Sequence, residues 1–244
     1  MSETESVDAP ASERRGSDAA VPHSTDFVEL WTTILLAIAA IATAWAGFQS
    51  AKWGGVQASS TAAANAARAE SVRASTTAGQ QVSIDANMFL SWMNSLVDDI
   101  DRGVVKQPKS AKDYKPTPGT ISGFTYKRFR SEFQPAVRAW LNTDPFENPD
   151  APSVPFTMDE YVLAEETVSE EKLAEADEKA LAAAEANQNS DNYVISVVLF
   201  ASALFFAALA GKLRRRSYSI FAASIGTTLV VGTLVYLTFL PIKF

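Results

Sequence analysis

Hydrophobic positions along the chain fall into two regimes. Three stretches are apolar on every side, and the segments between them carry apolar residues at helical spacing. Residues 27–48 read FVELWTTILLAIAAIATAWAGF, with Glu29 at the edge as the one ionisable group. Residues 193–211 (YVISVVLFASALFFAALAG) and 218–240 (YSIFAASIGTTLVVGTLVYLTFL) have none. At a rise of 1.5 Å per residue these lengths give about 33, 28 and 35 Å, the scale of a bilayer's hydrocarbon core. Trp31, Trp45, Tyr193, Tyr218 and Tyr236 lie toward the ends, where aromatic rings favour the headgroup region. Buried helices of soluble proteins rarely stay charge-free for so long, so the pattern predicts three transmembrane helices. A cleaved signal peptide does not fit the first stretch. A polar leader with six acidic residues precedes it, and its apolar run exceeds a signal core.

Between the first two spans, Val72, Ser75, Gly79, Val82, Ala86, Phe89, Met93, Leu96 and Ile100 recur at steps of three and four. That is one face of a long helix over about residues 56–101. Lysine, proline and glycine then mark a loop. A shorter helix over about 124–141 presents Phe129, Phe133, Val137, Trp140 and Leu141, with Pro135 placed to bend or split it. After the proline-rich residues 142–155, a second long helix over 157–189 has its seam at Ser169, Leu173, Ala176, Ala180 and Ala183.

The expected organisation is therefore a disordered tail at 1–26, spans at 27–48, 193–211 and 218–240, a helical domain at 49–192, a basic loop at 212–217 and a tail at 241–244. The fold class is all-α: an integral membrane protein with three transmembrane helices and a long helical-hairpin extramembrane domain. Within the spans, small residues recur every fourth position (Ala39, Thr43 and Gly47; Ala203, Ala207 and Gly211; Ala222 and Gly226), which suits close helix packing.

Charge sets the expected orientation. Lys212, Arg214, Arg215 and Arg216 sit in the short loop between the last two spans, and such loops stay cytoplasmic. The N-terminus is then cytoplasmic and residues 49–192 extracytoplasmic. The same four cations are positioned to face lipid headgroups. A net charge of −7 argues against nucleic acid as the partner, because phosphate binding needs basic surface.

Candidate chemistry is sparse. The chain has no cysteine and a single histidine, His23 in the leader, which removes thiolate chemistry and most histidine-ligated metals. Asp98, Asp99 and Asp101 lack the closing Glu of a calcium loop and read as a solvated helix end. Glu165, Glu166, Glu170 and Glu171 have no histidine, thiol or oxyanion motif beside them and read as an exposed helix face. GKLRRRS lacks the first glycine and the Ser/Thr of a phosphate loop. Tyr126, Lys127, Arg128, Phe129, Arg130 and Arg138 form the one basic-aromatic group outside the loop. The plain reading turns Phe129 and Phe133 inward and the cations outward. The sharper one is a contact for lipid or a partner protein. No ionisable residue lies deep in any span, which argues against ion-coupled transport.

WTTILLAIAAIATAWAGFQSAKWGGVQA, FRSEFQPAVRAWLNTDPFENPDAP and NSDNYVISVVLFASALFFAAL resemble a family of bacterial three-span helical membrane proteins grouped under a domain of unknown function. The resemblance covers roughly residues 27–240. It implies a membrane-anchored helical protein and carries no catalytic or binding residues with it. The function expected from the sequence is non-enzymatic and without a cofactor: a helical stalk that mediates self-association or docks another envelope component. The alternative is an oligomeric channel or permeation component, suggested by Thr32, Thr33, Thr43 and Gln49 in or beside the first span and by the acidic exterior.

Overall fold

Proline-free, alanine-rich sequence allows helices to run without interruption, and two of them here are very long. A computed structural model describes residues 24–244, and among these every regular element is helical. The helices are α1 (Ser24–Asp101), α2 (Ile121–Tyr126), α3 (Gln134–Leu141), α4 (Ala164–Lys212) and α5 (Arg216–Leu237), with a 3₁₀ turn at Pro155–Thr157. Three of them, α1, α4 and α5, are long and apolar enough to cross a membrane. The expected leader, with His23, lies outside the described residues except for 24–26, which begin α1. Gly54 and Gly55 do not interrupt α1, and the polar NQNSDN stretch does not interrupt α4.

The described residues divide into two compact units, 24–52 with 189–244 and 53–188. In the first, α1 buries Thr32, Leu35, Ala39, Ala42, Ala46 and Gln49, again at steps of three and four. Facing them are Ser196, Phe200, Ala203 and Ala207 of α4, and Ala222, Gly226, Val230 and Thr233 of α5. Small side chains let the backbones approach and gain dispersion contact, the packing typical of helices that cross membranes. Gly226 is the tightest point: a Cβ there would stand 3.3 Å from the Ala203 carbonyl oxygen and 3.3 Å from Leu35 Cδ2. The large side chains Ile38, Ile41, Phe205 and Phe221 point outward. Two of the expected stripes turn by one position. Ala42 and Ala46 take the buried places assigned to Thr43 and Gly47, and Ala210 takes that of Gly211.

Hydroxyls in this unit are satisfied mainly by their own helices. Thr32 donates to the Val28 carbonyl at 2.9 Å, Thr33 to Glu29 at 2.8 Å and Thr43 to Ala39 at 2.7 Å. Ser219 reaches instead from α5 to the Ala210 carbonyl, 2.7 Å away, closing the corner between α4 and α5. The C-terminal tail is held twice. Gln49 Oε1 accepts from the Lys243 amide at 3.0 Å, and the Tyr193 hydroxyl donates to the Pro241 carbonyl at 3.1 Å.

In the second unit α1 pairs with α4 through Ala64, Ala67, Ser71, Ala74 and Ala78 on one side and Ala176, Ala183 and Ala186 on the other. The Ser71 hydroxyl donates to the Ser169 carbonyl across this pair at 2.8 Å. Lys172–Glu70 (3.3 Å) and Arg68–Asp177 (3.8 Å) flank it as exposed ion pairs, which solvent screens. The expected α1 seam is displaced by one residue over much of its length. Ser71, Ala74, Ala78 and Asp85 turn inward, while Val72, Ser75, Gly79 and Val82 are exposed. On α4, Leu173 is exposed and Lys172 turns toward the pair. Small side chains win the inner positions because valine and leucine would hold the two backbones apart.

At its C-terminus α1 stops at Gly103, whose φ of +73° lets the chain leave the helix while the amide of Val104 bonds the Asp99 carbonyl. The single helix expected over 124–141 is two, α2 and α3. Pro135 sits in the first turn of α3, where a missing amide hydrogen costs nothing. The second long helix begins at Ala164 instead of 157, because Met158 is extended and breaks the helical path after the 3₁₀ turn.

A leucine at Gly226 must push α5 off the α4 backbone at Ala203 and Ala207 and off the Leu35 side chain, whereas a side chain at Gly47 would enter open space. Gly226→Leu should lower unfolding stability in detergent by about 1–3 kcal/mol. Gly47→Leu should stay within about 0.5 kcal/mol of the parent by the same chemical denaturation.

Candidate functional site: a buried carboxylate clamp in an aromatic cap

The end of α1 carries Phe89, Trp92 and Leu96 on its inner face, and the following segments fold over them. Phe129 and Phe133 approach from the α2–α3 connection, Val137, Trp140 and Leu141 from α3, and Tyr114 from the loop before α2. Phe89 meets Trp140 edge-on at 5.3 Å, and Phe133 stacks on Phe156 at 5.3 Å. Such pairs add about 0.5–1.5 kcal/mol each beyond burial. The polar edges of the rings are satisfied too. Trp92 Nε1 donates to the Tyr114 hydroxyl at 2.9 Å and Trp140 Nε1 to the Pro152 carbonyl at 2.6 Å.

Asp85 stands one turn before Phe89 and is only 1% exposed. Arg130 grips it with two bonds, Nε to Oδ1 at 3.1 Å and Nη2 to Oδ2 at 2.8 Å. The Tyr161 hydroxyl donates to Oδ2 at 3.2 Å, and Arg130 Nη1 also engages Glu132. One carboxylate thus ties α1 to the turn before α3 and to the segment before α4. Burial, followed by the Asp85 charge, pushes the Tyr161 phenol up to about 12. The bond to Asp85 is the main cause holding the Arg130 guanidinium more firmly protonated than usual. Burial also raises the Tyr114 and Tyr126 phenols. A second inward carboxylate, Asp99, accepts a 2.6 Å bond from Ser122 at the start of α2.

These groups orient and clamp one another. Both Asp85 oxygens are occupied by donors, and Asp99 Oδ2 is bound by Ser122. Among the described residues no group of three His, Cys, Asp or Glu side chains could hold a metal ion.

The basic-aromatic group expected as a contact is dispersed. Phe129 and Phe133 are buried, Tyr126 packs on Trp92 and Tyr114, and Arg130 turns inward to Asp85. Arg138 is exposed on α3. Lys127 and Arg128 stay together, lining a shallow groove of about 550 Å3 with Pro118, Ile121 and Phe124, and the Arg128 guanidinium lies 3.4 Å from the centre of the Phe124 ring. The aspartate cluster also divides: Asp98 pairs with Arg102 at 2.8 Å, Asp99 is buried and Asp101 is exposed. Glu166, Glu170 and Glu171 are exposed on α4, and Glu165 is half-buried. Lys212, Arg214, Arg215 and Arg216 are all exposed, and Arg216 alone of these lines a groove beside α5. The Asp85 clamp was not anticipated. Its signal was a lone carboxylate one turn before Phe89, on a face otherwise made of small and apolar residues. The chain matches no protein-family model, and no curated protein or solved structure is significantly similar to it.

Removing Arg130 strands a carboxylate that cannot reach water, whereas removing Asp85 leaves a guanidinium that still touches solvent and Glu132. Arg130→Met should therefore cost about 3–5 kcal/mol in denaturant unfolding, Asp85→Leu less, and the double variant should recover part of the loss. An Asp85→Leu effect equal to or larger than that of Arg130→Met would contradict this ordering. The raised Tyr161 phenol keeps its proton in the folded chain after the unfolded chain has lost it. Its stabilisation is thus complete below pH 10 and disappears as the pH rises to about 12. Tyr161→Phe should flatten that part of the stability profile and remove the last-titrating phenol from the ultraviolet absorbance.

Proposed function

We propose that the protein is a non-enzymatic integral membrane protein, inserted through α1, α4 and α5, whose extramembrane helical unit mediates self-association or docks another envelope component. In this reading the basic 212–217 loop is cytoplasmic by its charge, residues 49–192 are extracytoplasmic, and the membrane is a bacterial plasma membrane. The observation that carries it is on α1. Its inner face is already filled by α4 and the aromatic cap, yet Val72, Leu90 and Val97 remain 65%, 57% and 43% exposed. With Gly79 they are separated by seven, eleven and seven residues, close to whole numbers of turns, and so share one flank of the helix. An apolar flank with a glycine in open space suits a second helix.

Permeation gains no support from the hydroxyls that suggested it. Thr32, Thr33 and Thr43 bond to carbonyls of their own helix, and Gln49 Oε1 is taken by the tail.

The chain lacks cysteine, so single replacements give unambiguous crosslinks. Val72→Cys, Gly79→Cys and Leu90→Cys should each yield a disulfide or maleimide-linked species in intact cells, with the exposed Ser91→Cys, about 100° round the helix from Leu90, as the silent control. If all three flank positions stay uncrosslinked and the detergent-solubilised chain is strictly monomeric, the proposal fails.

A further inference from the structure

The first unit carries a groove along α5 that its own helices leave open. It has a volume of about 980 Å3 and walls from Val28 and Trp31 of α1 and from Ile220, Ala223 and Val231 of α5, with Arg216 at one end. From Arg216 to Gly232 it follows α5 for about 24 Å, most of the hydrocarbon thickness. Its hydroxyl-bearing residues donate their protons to their own helix and so offer an occupant no hydroxyl donor. Ser224 donates to the Ile220 carbonyl at 2.9 Å, Thr228 to Ser224 at 2.9 Å and Thr227 to Ala223 at 2.8 Å. Trp31 closes one side, its Nε1 reaching Thr227 Oγ1 at 3.1 Å. The body of the groove is therefore effectively apolar, and its polarity is concentrated in one exposed guanidinium next to Arg214 and Arg215.

We propose that this groove binds one anionic phospholipid, with an acyl chain along α5 and the headgroup phosphate on Arg216. The inference rests on the membrane-spanning reading of α1, α4 and α5. An amphiphile with a negative head and a long apolar tail matches the groove in both charge and length. A second copy of the chain matches it poorly. Two copies paired in parallel along α5 would bring their Lys212–Arg216 loops together, setting like charges side by side. A neutral phospholipid would leave the guanidinium without a matching net charge. Arginine also suits phosphate geometrically, since its planar donors engage two oxygens at once.

The test uses the full-length chain in detergent, titrated with phosphatidylglycerol or phosphatidylcholine and read by native mass spectrometry. One phosphatidylglycerol should be retained in preference to phosphatidylcholine. Arg216→Gln should weaken that retention about fivefold, the value of one cation near an anionic surface. Arg215→Gln removes the same charge from outside the groove and should leave retention nearly unchanged. Thr228→Trp, which fills the groove, should lower binding of both lipids. Equal losses from Arg216→Gln and Arg215→Gln overturn the proposal, as does a parent chain without phosphatidylglycerol preference. A dimer that Thr228→Trp abolishes overturns it in favour of a second copy. Carbonate extraction of native membranes separates the two levels of failure: release of the chain defeats the membrane-spanning reading itself, whereas a retained chain lacking lipid preference defeats the groove alone.

Discussion

The fold of the second unit depends on a carboxylate that must not be left alone. Asp85 is almost fully buried, and an unpaired charge in that position would cost several kcal/mol. Its partners arrive from elsewhere in the chain: Arg130 lies 45 residues away and Tyr161 lies 76. Meeting their bonds fixes where the α2–α3 connection and the segment before α4 lie against α1. The aromatic cap is then assembled around a defined point, and Phe89, Phe133, Phe156 and Tyr161 can take the edge-on and stacked geometries observed. A wholly apolar cap of the same volume could be as stable, but its rings would have fewer directional reasons to choose one arrangement.

The same demand explains where sequence reading succeeded and where it slipped. Long helices and charge-free stretches are legible because they depend on local composition: absent proline, abundant alanine and apolar runs. The facing of a helix is harder to read when the face is made of small residues. Val72 and Val82 look more like seam residues than Ser71 and Asp85, because hydrophobicity alone favours burying valine. Two other terms decide the outcome. Close approach of α1 and α4 favours alanine and serine over valine, and Ser71 and Asp85 enter at little cost because both are hydrogen-bonded. Farther along, where the cavity is wide, Phe89 and Leu96 are both expected and observed in the core. The basic-aromatic group misled for a related reason. Sequence adjacency put Arg130 beside Arg128, but consecutive residues at a turn point to different sides, and only Arg130 faces a buried anion.

In the first unit the packing rule is reversed. The large side chains Ile38, Ile41 and Phe205 lie outside, while alanine and glycine fill much of the interior beside Leu35, Phe200 and Val230. In water this would be a poor arrangement, because apolar area is left exposed while little is buried. With lipid around it, as the proposed insertion requires, such a unit would leave its outer side chains exposed at no cost and gain from backbone proximity at residues such as Gly226. The second unit buries most rings of its aromatic cap and leaves most of its ionisable residues on the surface, whereas the first exposes Trp31, Trp45, Phe205 and Phe221 and gathers four of its cations in a single loop.

That division also bears on what the molecule can do. In the cap, Asp85 and Asp99 are engaged by Arg130, Tyr161 and Ser122, so each of these side chains is already committed to holding the fold. Catalysis needs groups whose bonds can be exchanged for those of a substrate, and a clamp of this kind resists such exchange. What the chain leaves uncommitted is surface: the flank of α1 at Val72, Gly79, Leu90 and Val97, the Phe124–Arg128 groove, and the channel beside α5 that ends at Arg216. Each pairs apolar area with either a glycine or a cation. That chemistry is what the proposed binding role rests on.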